Sequence, residues 1–406
     1  MITGIKKATL YTFLEYVTPE KRPLISNINN LAVTNTRLSV ERNSKIQSEK
    51  LNEIKDVSDL KHEGMIFCMT NININDEPCI ITGSYDSKIR VWSLITNQIK
   101  YIVESHTDTI NCLSAFQMNS KPVFVSGSSD KSLKLFDATN GLLVYTFLGH
   151  EDKVKCCLYF YSNFDGSLLI SGSADYSIKI WSLKDGNLLT TLKEHTYSVN
   201  CLIKLNWEDG SSVFASGSAD FTIKTWDISG GKMIRSLIGH NDYVNNLISN
   251  KVNEQFLIIS CSSDFTVKIW NSKSGMNIYT LEGHSRSVNS VVYLNHEKGK
   301  HLIASSSSDG LIKIWDLATG KFMHDLKGHK DSVNSIVETK LEGFTSVLAS
   351  AGSDKTVRLW DVLNGLLIKS YLKHTRSVNN LINLPWKSES PILVTSSLEK
   401  NVKIWR

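Results

Sequence analysis

The chain has 406 residues, with 45 Lys and Arg against 40 Asp and Glu, a formal net charge of +5 and 41% apolar residues. A chain of this length buries a large core, and so mild a basic excess argues against nucleic acid as a partner. No run of 18 apolar residues is present to span a membrane, and no secretory leader is evident. Residues 1–50 stand apart from the rest. Ile5, Leu10, Phe13, Leu14 and Val17 have the spacing of a short amphipathic helix, and residues 25–50 are rich in Ser, Asn, Thr and Lys, as in a linker. This stretch is expected to be an N-terminal extension, partly disordered or a docking segment, with residues 51–406 forming one folded domain.

From His62 onward three residue types recur in step. His62, His106, His150, His195, His240, His284, His329 and His374 are spaced by 44 or 45 residues. Asp86, Asp130, Asp175, Asp220, Asp264, Asp309 and Asp354 keep the same step, and a Trp or Phe follows each by six positions. The chain is therefore one supersecondary unit copied eight times. In the third copy, apolar Cys156-Cys157-Leu158, Leu168-Leu169-Ile170, Ile178-Lys179-Ile180-Trp181 and Leu188–Leu192 are separated by Asn, Asp, Gly and Ser turns. That pattern predicts four short strands and no helix. Four strands in about 45 residues make one propeller blade.

Gly-His stands at Gly149-His150, Gly239-His240, Gly283-His284 and Gly328-His329; Trp-Asp stands at Trp226-Asp227, Trp315-Asp316 and Trp360-Asp361. In these residues the chain resembles the WD-repeat family over residues 62–406. The resemblance implies an all-β fold, a single closed propeller. Eight copies imply eight blades, although seven is the commoner number in the family. It also implies a buried set of His, Ser or Thr, Asp and Trp in each blade. A hydroxyl does lie four residues before each acid, from Thr82 and Ser126 through to Thr395. Each of these polar groups is costly to bury alone and satisfied in company. A His-Ser-Asp group repeated in every blade is no unique active site, so no catalytic residues, cofactor or metal is expected. Phe136 replaces one Trp and Glu399 replaces the last acid, and both blades are expected to be less well cross-linked.

In the family the sequence copy is offset from the blade, the strand before each Gly-His being the outer strand of the preceding blade. Copy eight reaches Trp405 with no such strand after it. Ile54–Leu60 has the right spacing to supply it and close the ring. Cys68, Cys112, Cys156 and Cys201 share one repeat position beside apolar residues and read as small core residues. Reduced thiols fit an intracellular protein, cytoplasmic or nuclear. The Lys/Arg series from Arg90 to Lys403, two before each aromatic, reads as stems packed between blades.

Five residues after the histidines stand Asn111, Asn200, Asn245, Asn289, Asn334 and Asn379, with Phe67 and Lys155 in the other two copies. These Asn either line the channel mouth or satisfy local backbone groups. Outside them the copies differ, with Met65, Lys153, Tyr197, Tyr243, Arg286 and Arg376, then Tyr85 and Leu398 before the acids. Aromatic and Arg side chains anchor interfaces. The candidate partner-binding set is accordingly Tyr197, Tyr243, Arg286 and Arg376, with Asn200, Asn245, Asn289 and Asn379. Trp207 and Trp386, twelve after their histidines, mark a second candidate on the opposite face. The function expected is a non-catalytic scaffold or adaptor for one or more proteins. The alternative is a targeting or substrate-receptor subunit of a larger enzyme, such as a ubiquitin ligase or kinase assembly.

Overall fold

The computed structural model describes residues 61–162, 166–208, 210–295, 301–384 and 392–405. Among them are 31 strands and no helix. The strands form eight antiparallel sheets, seven of four strands and one of three. Blade 1 comprises Ile66–Ile74, Glu77–Ser84, Ile89–Ser93 and Ile99–Val103. The first strands of blades 2 to 7 are Ile110–Met118, Val154–Ser162, Val199–Asn206, Val244–Val252, Val288–Asn295 and Val333–Thr339. Blade 8 comprises Val378–Leu384, Ile392–Ser397 and Val402–Trp405. First strands of neighbouring blades lie side by side, and those of blades 8 and 1 do so as well. The ring is closed, with eight blades, as the repeat count predicts.

Burial follows position in the blade. In blade 3 the second strand, Gly166–Ser173, is buried from Leu168 onward because a neighbouring blade covers each of its faces. The outer strand, Leu188–Leu192, buries only Leu192. The register sets Ser171 opposite Cys157 on one side and Lys179 on the other. A bulge between Ile180 and Trp181 interrupts the pairing to the outer strand. It recurs in blades 1 to 7 and adds twist beside each indole or phenyl ring.

The core lies between blades rather than within them. Val123, Leu133 and Phe147 of blade 2 pack with Val154, Leu169 and Trp181 of blade 3. Each such side chain stabilises by about 1.5–3 kcal/mol on full burial. Close packing also selects glycine: a Cβ on Gly172 would stand 2.6 Å from Val199 Cγ1 and 2.7 Å from Cys156 Sγ. The closing seam is built the same way, with Ile66, Ile80 and Trp92 against Leu384, Val394 and Ile404. There the Asn380 side chain donates to the Phe67 carbonyl at 3.1 Å.

The extension of residues 1–50, the segment Ile54–Leu60 expected to close the ring, and Trp386 lie outside the described residues. Two bonds stand at the first described residues. Lys61 bridges Asn401 in antiparallel sense, and the His62 N–H donates to the Lys400 carbonyl at 2.9 Å. If Ile54–Leu60 continues this pairing along Val402–Trp405, deleting residues 50–61 strips the edge of blade 8. Scanning calorimetry should then show a melting temperature lower by several degrees. An unchanged melting temperature would mean that the segment does not cover that edge.

Candidate interaction face

The repeated polar residues meet in every blade. In blade 4, Trp226 Nε1 donates to Ser216 Oγ at 2.8 Å, Ser216 lies 2.7 Å from His195 Nε2, and His195 Nδ1 lies 2.6 Å from Asp220. A carboxylate only accepts, so Nδ1 carries the proton and Nε2 accepts from the serine. Asp220 also accepts from the Thr196 N–H, the Thr222 N–H and the Thr222 hydroxyl. It thus ties the histidine loop to the turn between the second and third strands. Burial alone would raise the Asp220 carboxyl, but the hydrogen bonds from His195 and Thr222 hold it well below the usual range. Burial lowers His195 despite its aspartate. In blade 6 the corresponding Asp309 is held at about 2: burial opposes the shift, and the bonds from His284 and the Ser285 N–H drive it.

Two blades depart from Trp and Asp, with different results. In blade 2, Phe136 brings no indole donor, and Ser126 keeps its bond to His106 at 2.7 Å, so this network is smaller, as expected. The expectation fails for blade 8. Glu399 reaches His374 Nδ1 at 2.6 Å with one oxygen and the Thr375 N–H at 2.6 Å with the other. Trp405 donates to Thr395 at 2.9 Å. The longer side chain spans the same gap, and the cross-link survives.

The basic series two before each aromatic is spent inside the fold. Lys179, Lys224 and Lys313 are buried, and their amines bond Thr191, Ser236 and Asp325 on the outer strands. All seven cysteines are free thiols, and the Cys156 thiol points at the Gly172 and Val199 carbonyls. Among the described residues no three His, Cys, Asp or Glu side chains converge where a metal ion could sit.

The asparagines five residues after the histidines bond across blades. Asn200 donates to the Val244 carbonyl at 3.0 Å, Asn245 to Val288 at 2.8 Å and Asn289 to Val333 at 2.9 Å, each in the next blade. Asn111 and Asn334 do the same. Their amides satisfy neighbouring main chain. Asn379, at the seam, accepts from Ser377. Lys155 takes the same place in blade 3 and donates to Asn200 Oδ1 at 2.8 Å, and burial holds its amine below the usual lysine range.

Of the candidate anchors, Tyr197 and Tyr243 are 57% and 51% exposed. They line one open concavity of about 590 Å³ with Lys155, Tyr176, Asn200 and Asn245. Arg286 and Arg376 are exposed in the histidine loops of blades 6 and 8 and are not part of that lining. Asn289 and Asn379 belong to those same blades. On the opposite face Trp207 is half-buried, with its indole donating to Ser272 at 2.9 Å.

Three aromatics beside these anchors escaped the sequence reading. Tyr176, Phe221 and Phe265 each follow the network aspartate and are 45%, 38% and 46% exposed. Tyr176 packs on Tyr197 with ring centroids 5.7 Å apart, and Phe221 packs on Tyr243 at 5.9 Å. The turn imposes a positive φ of 70–71° on all three. A bulky residue is strained there, at a cost of about 1 kcal/mol. In blade 6 glycine takes this place, as Gly310 at φ 82°. Lining up the residue after each acid would have exposed the run: Ser, Lys, Tyr, Phe, Phe, Gly, Lys, Lys.

The fold defines a closed propeller whose blades are cross-linked by buried histidine–carboxylate networks. The chain belongs to the WD-repeat family. The family profile, WD domain, G-beta repeat, matches residues 55–93, 97–137, 141–182, 186–227, 231–271, 275–316, 320–361 and 365–406. The second match runs from the outer strand of blade 1 to the third strand of blade 2, which is the predicted offset. Propellers of this family commonly mediate protein interactions. A search of curated proteins returned no match. Among solved structures the chain is similar to a crystal structure of the computationally designed Ika8 protein. The two are 26% identical over 85% of this chain and 97% of that one, with a TM-score of 0.70. In all, 1693 solved chains match, so the likeness carries the fold and singles out no activity.

Proposed function

We propose that this protein is a non-catalytic scaffold or adaptor that presents its histidine-loop face to one or more proteins. One observation carries the reading. The residues with reactive chemistry are spent in networks repeated in every blade, whereas Tyr197 and Tyr243 break the repeat, stand exposed and share a concavity. Large aromatic and guanidinium groups at such places give contact area and charge with little internal packing. Free thiols in every cysteine support an intracellular setting, cytoplasmic or nuclear. Among the described residues no helix is long and apolar enough to cross a membrane.

The test is a variant with Tyr197, Tyr243, Arg286 and Arg376 all changed to alanine. It should melt within a few degrees of the parent chain and lose its main partner in a pull-down from its own cell extract. Unfolding would make these residues structural. A folded variant that keeps every partner would move the binding surface to the Trp207 face.

A further inference from the structure

The histidine-loop face is divided by chemistry. Tyr176, Tyr197, Phe221, Tyr243 and Phe265 form an exposed arc over blades 3, 4 and 5. Blades 6, 7 and 8 carry Arg286, Lys330, Lys355, Arg376 and Lys400, all exposed. None of these five cations pairs with a carboxylate among the described residues. Three acids on the same blades, Asp309, Asp354 and Glu399, are held by their histidines. A fourth, Asp331, caps the Ser332 N–H at 2.7 Å. Across blades 3 to 8 the aromatic cluster and the five cations are thus segregated, while blade 1 carries a separate exposed pair, Phe67 and Tyr85, and single exposed lysines, Lys131 and Lys153, stand on blades 2 and 3.

Resting on the adaptor reading above, we propose that this face holds a bipartite peptide segment of a partner protein. Large apolar side chains of the peptide sit on the arc of blades 3 to 5, and an acidic run lies on blades 6 to 8. The segregation selects this ligand over a single-stranded nucleic acid. A nucleic acid carries a phosphate at every base, so its binding grooves combine stacking rings with a cationic track along the backbone. Here the rings and the five cations stand on different blades. The rings also pack on one another, Tyr176 on Tyr197 and Phe221 on Tyr243, tilted by 43° and 40°. That arrangement forms two apolar ring pairs on successive blades, three of whose rings line one concavity. The strained backbone supports the same conclusion. The turn has a positive φ in every blade, where Gly310 is the one glycine; blades 3, 4 and 5 place bulky rings there that stay 38–46% exposed.

The test selects a displayed library of random 16-residue peptides on the immobilised full-length chain and on two variants. One variant carries Tyr176→Gly, Phe221→Gly and Phe265→Gly, which suit the turn conformation. The other carries Arg286→Glu, Lys355→Glu, Arg376→Glu and Lys400→Glu. Enriched peptides should combine two or more Trp, Phe, Leu or Met with a run of Asp or Glu. Synthesised singly, they should bind each variant at least roughly tenfold more weakly, and added salt should weaken binding to the parent chain and the glycine variant but not to the charge-reversed one. Selection of nothing, of peptides lacking either half, or of peptides that bind the variants equally well would overturn the proposal. So would an oligouridylate of similar length that binds the parent chain more tightly and is lost in the same variants. If the library fails while the quadruple alanine variant still loses its partner, the adaptor reading stands and the peptide class falls.

Discussion

Asp220→Ala should destabilise the ring by about 2–4 kcal/mol, against less than about 1 kcal/mol for Asp227→Ala. The two residues flank the same strand and differ in what depends on them. Asp220, with its side chain 3% exposed, accepts from His195, the Thr196 N–H and both donors of Thr222. Alanine leaves those donors facing each other across two loops, and His195 loses the acceptor that fixes its tautomer. Asp227 lies at the edge of the next turn, where it accepts from the Gly230 N–H at 3.2 Å and water can replace it. Thermal melts of the two variants check this directly. Equal melting temperatures would mean that the network acid carries no special share of stability.

Acid should unfold the protein steeply, with a midpoint between about pH 2 and pH 4. An aspartate held below its unfolded value near 3.9 favours the deprotonated folded state. Its contribution is complete above about pH 4 and disappears as the pH falls through the folded value. All seven network aspartates are held low, from Asp86 in blade 1 to Asp354 in blade 7. Burial opposes the shift in each, and the bonds to histidine and nearby N–H groups overcome it. Each group contributes roughly 1.4 kcal/mol per pH unit within its window, so seven together lose on the order of 10 kcal/mol per unit. His62 and His195 add an earlier, smaller loss. Burial lowers both, so their stabilising share is full above about pH 6.5 and declines below it. Tryptophan fluorescence along a pH titration reads the outcome. A ring still folded below about pH 1.5 would show that the carboxylates contribute little.

Much of this was legible in the sequence because a repeat multiplies weak signals. One hydroxyl four residues before one acid is nothing, but eight such steps in register with His and with Trp or Phe specify blade, network and ring. The offset between copy and blade was legible for the same reason. Two features were not. Glu399 read as a defect because a sequence pattern records residue type, whereas the network requires only a carboxylate at a given point in space. The aromatic arc was half seen. Tyr197 and Tyr243 lie in the histidine loops, while Tyr176 and Phe221 come from turns of preceding blades, and only the ring geometry makes them neighbours. The asparagine amides reach the Val244, Val288 and Val333 carbonyls of the next blade, a contact that the spacing within one copy does not carry.

The seam between blades 8 and 1 sets an order of assembly. Asn200 and Val244 lie 44 residues apart, as do other partners across neighbouring blades, whereas Asn380 and Phe67 are separated by 313. Closing the longer loop costs roughly 1.7 kcal/mol more chain entropy than closing the shorter one. Blade-to-blade contacts along the chain can therefore form locally and early, while the seam must wait for both ends to arrive. The same contact that makes the disc rigid once formed is also its slowest to gain and, by the same entropy, the first that a strained ring would give up.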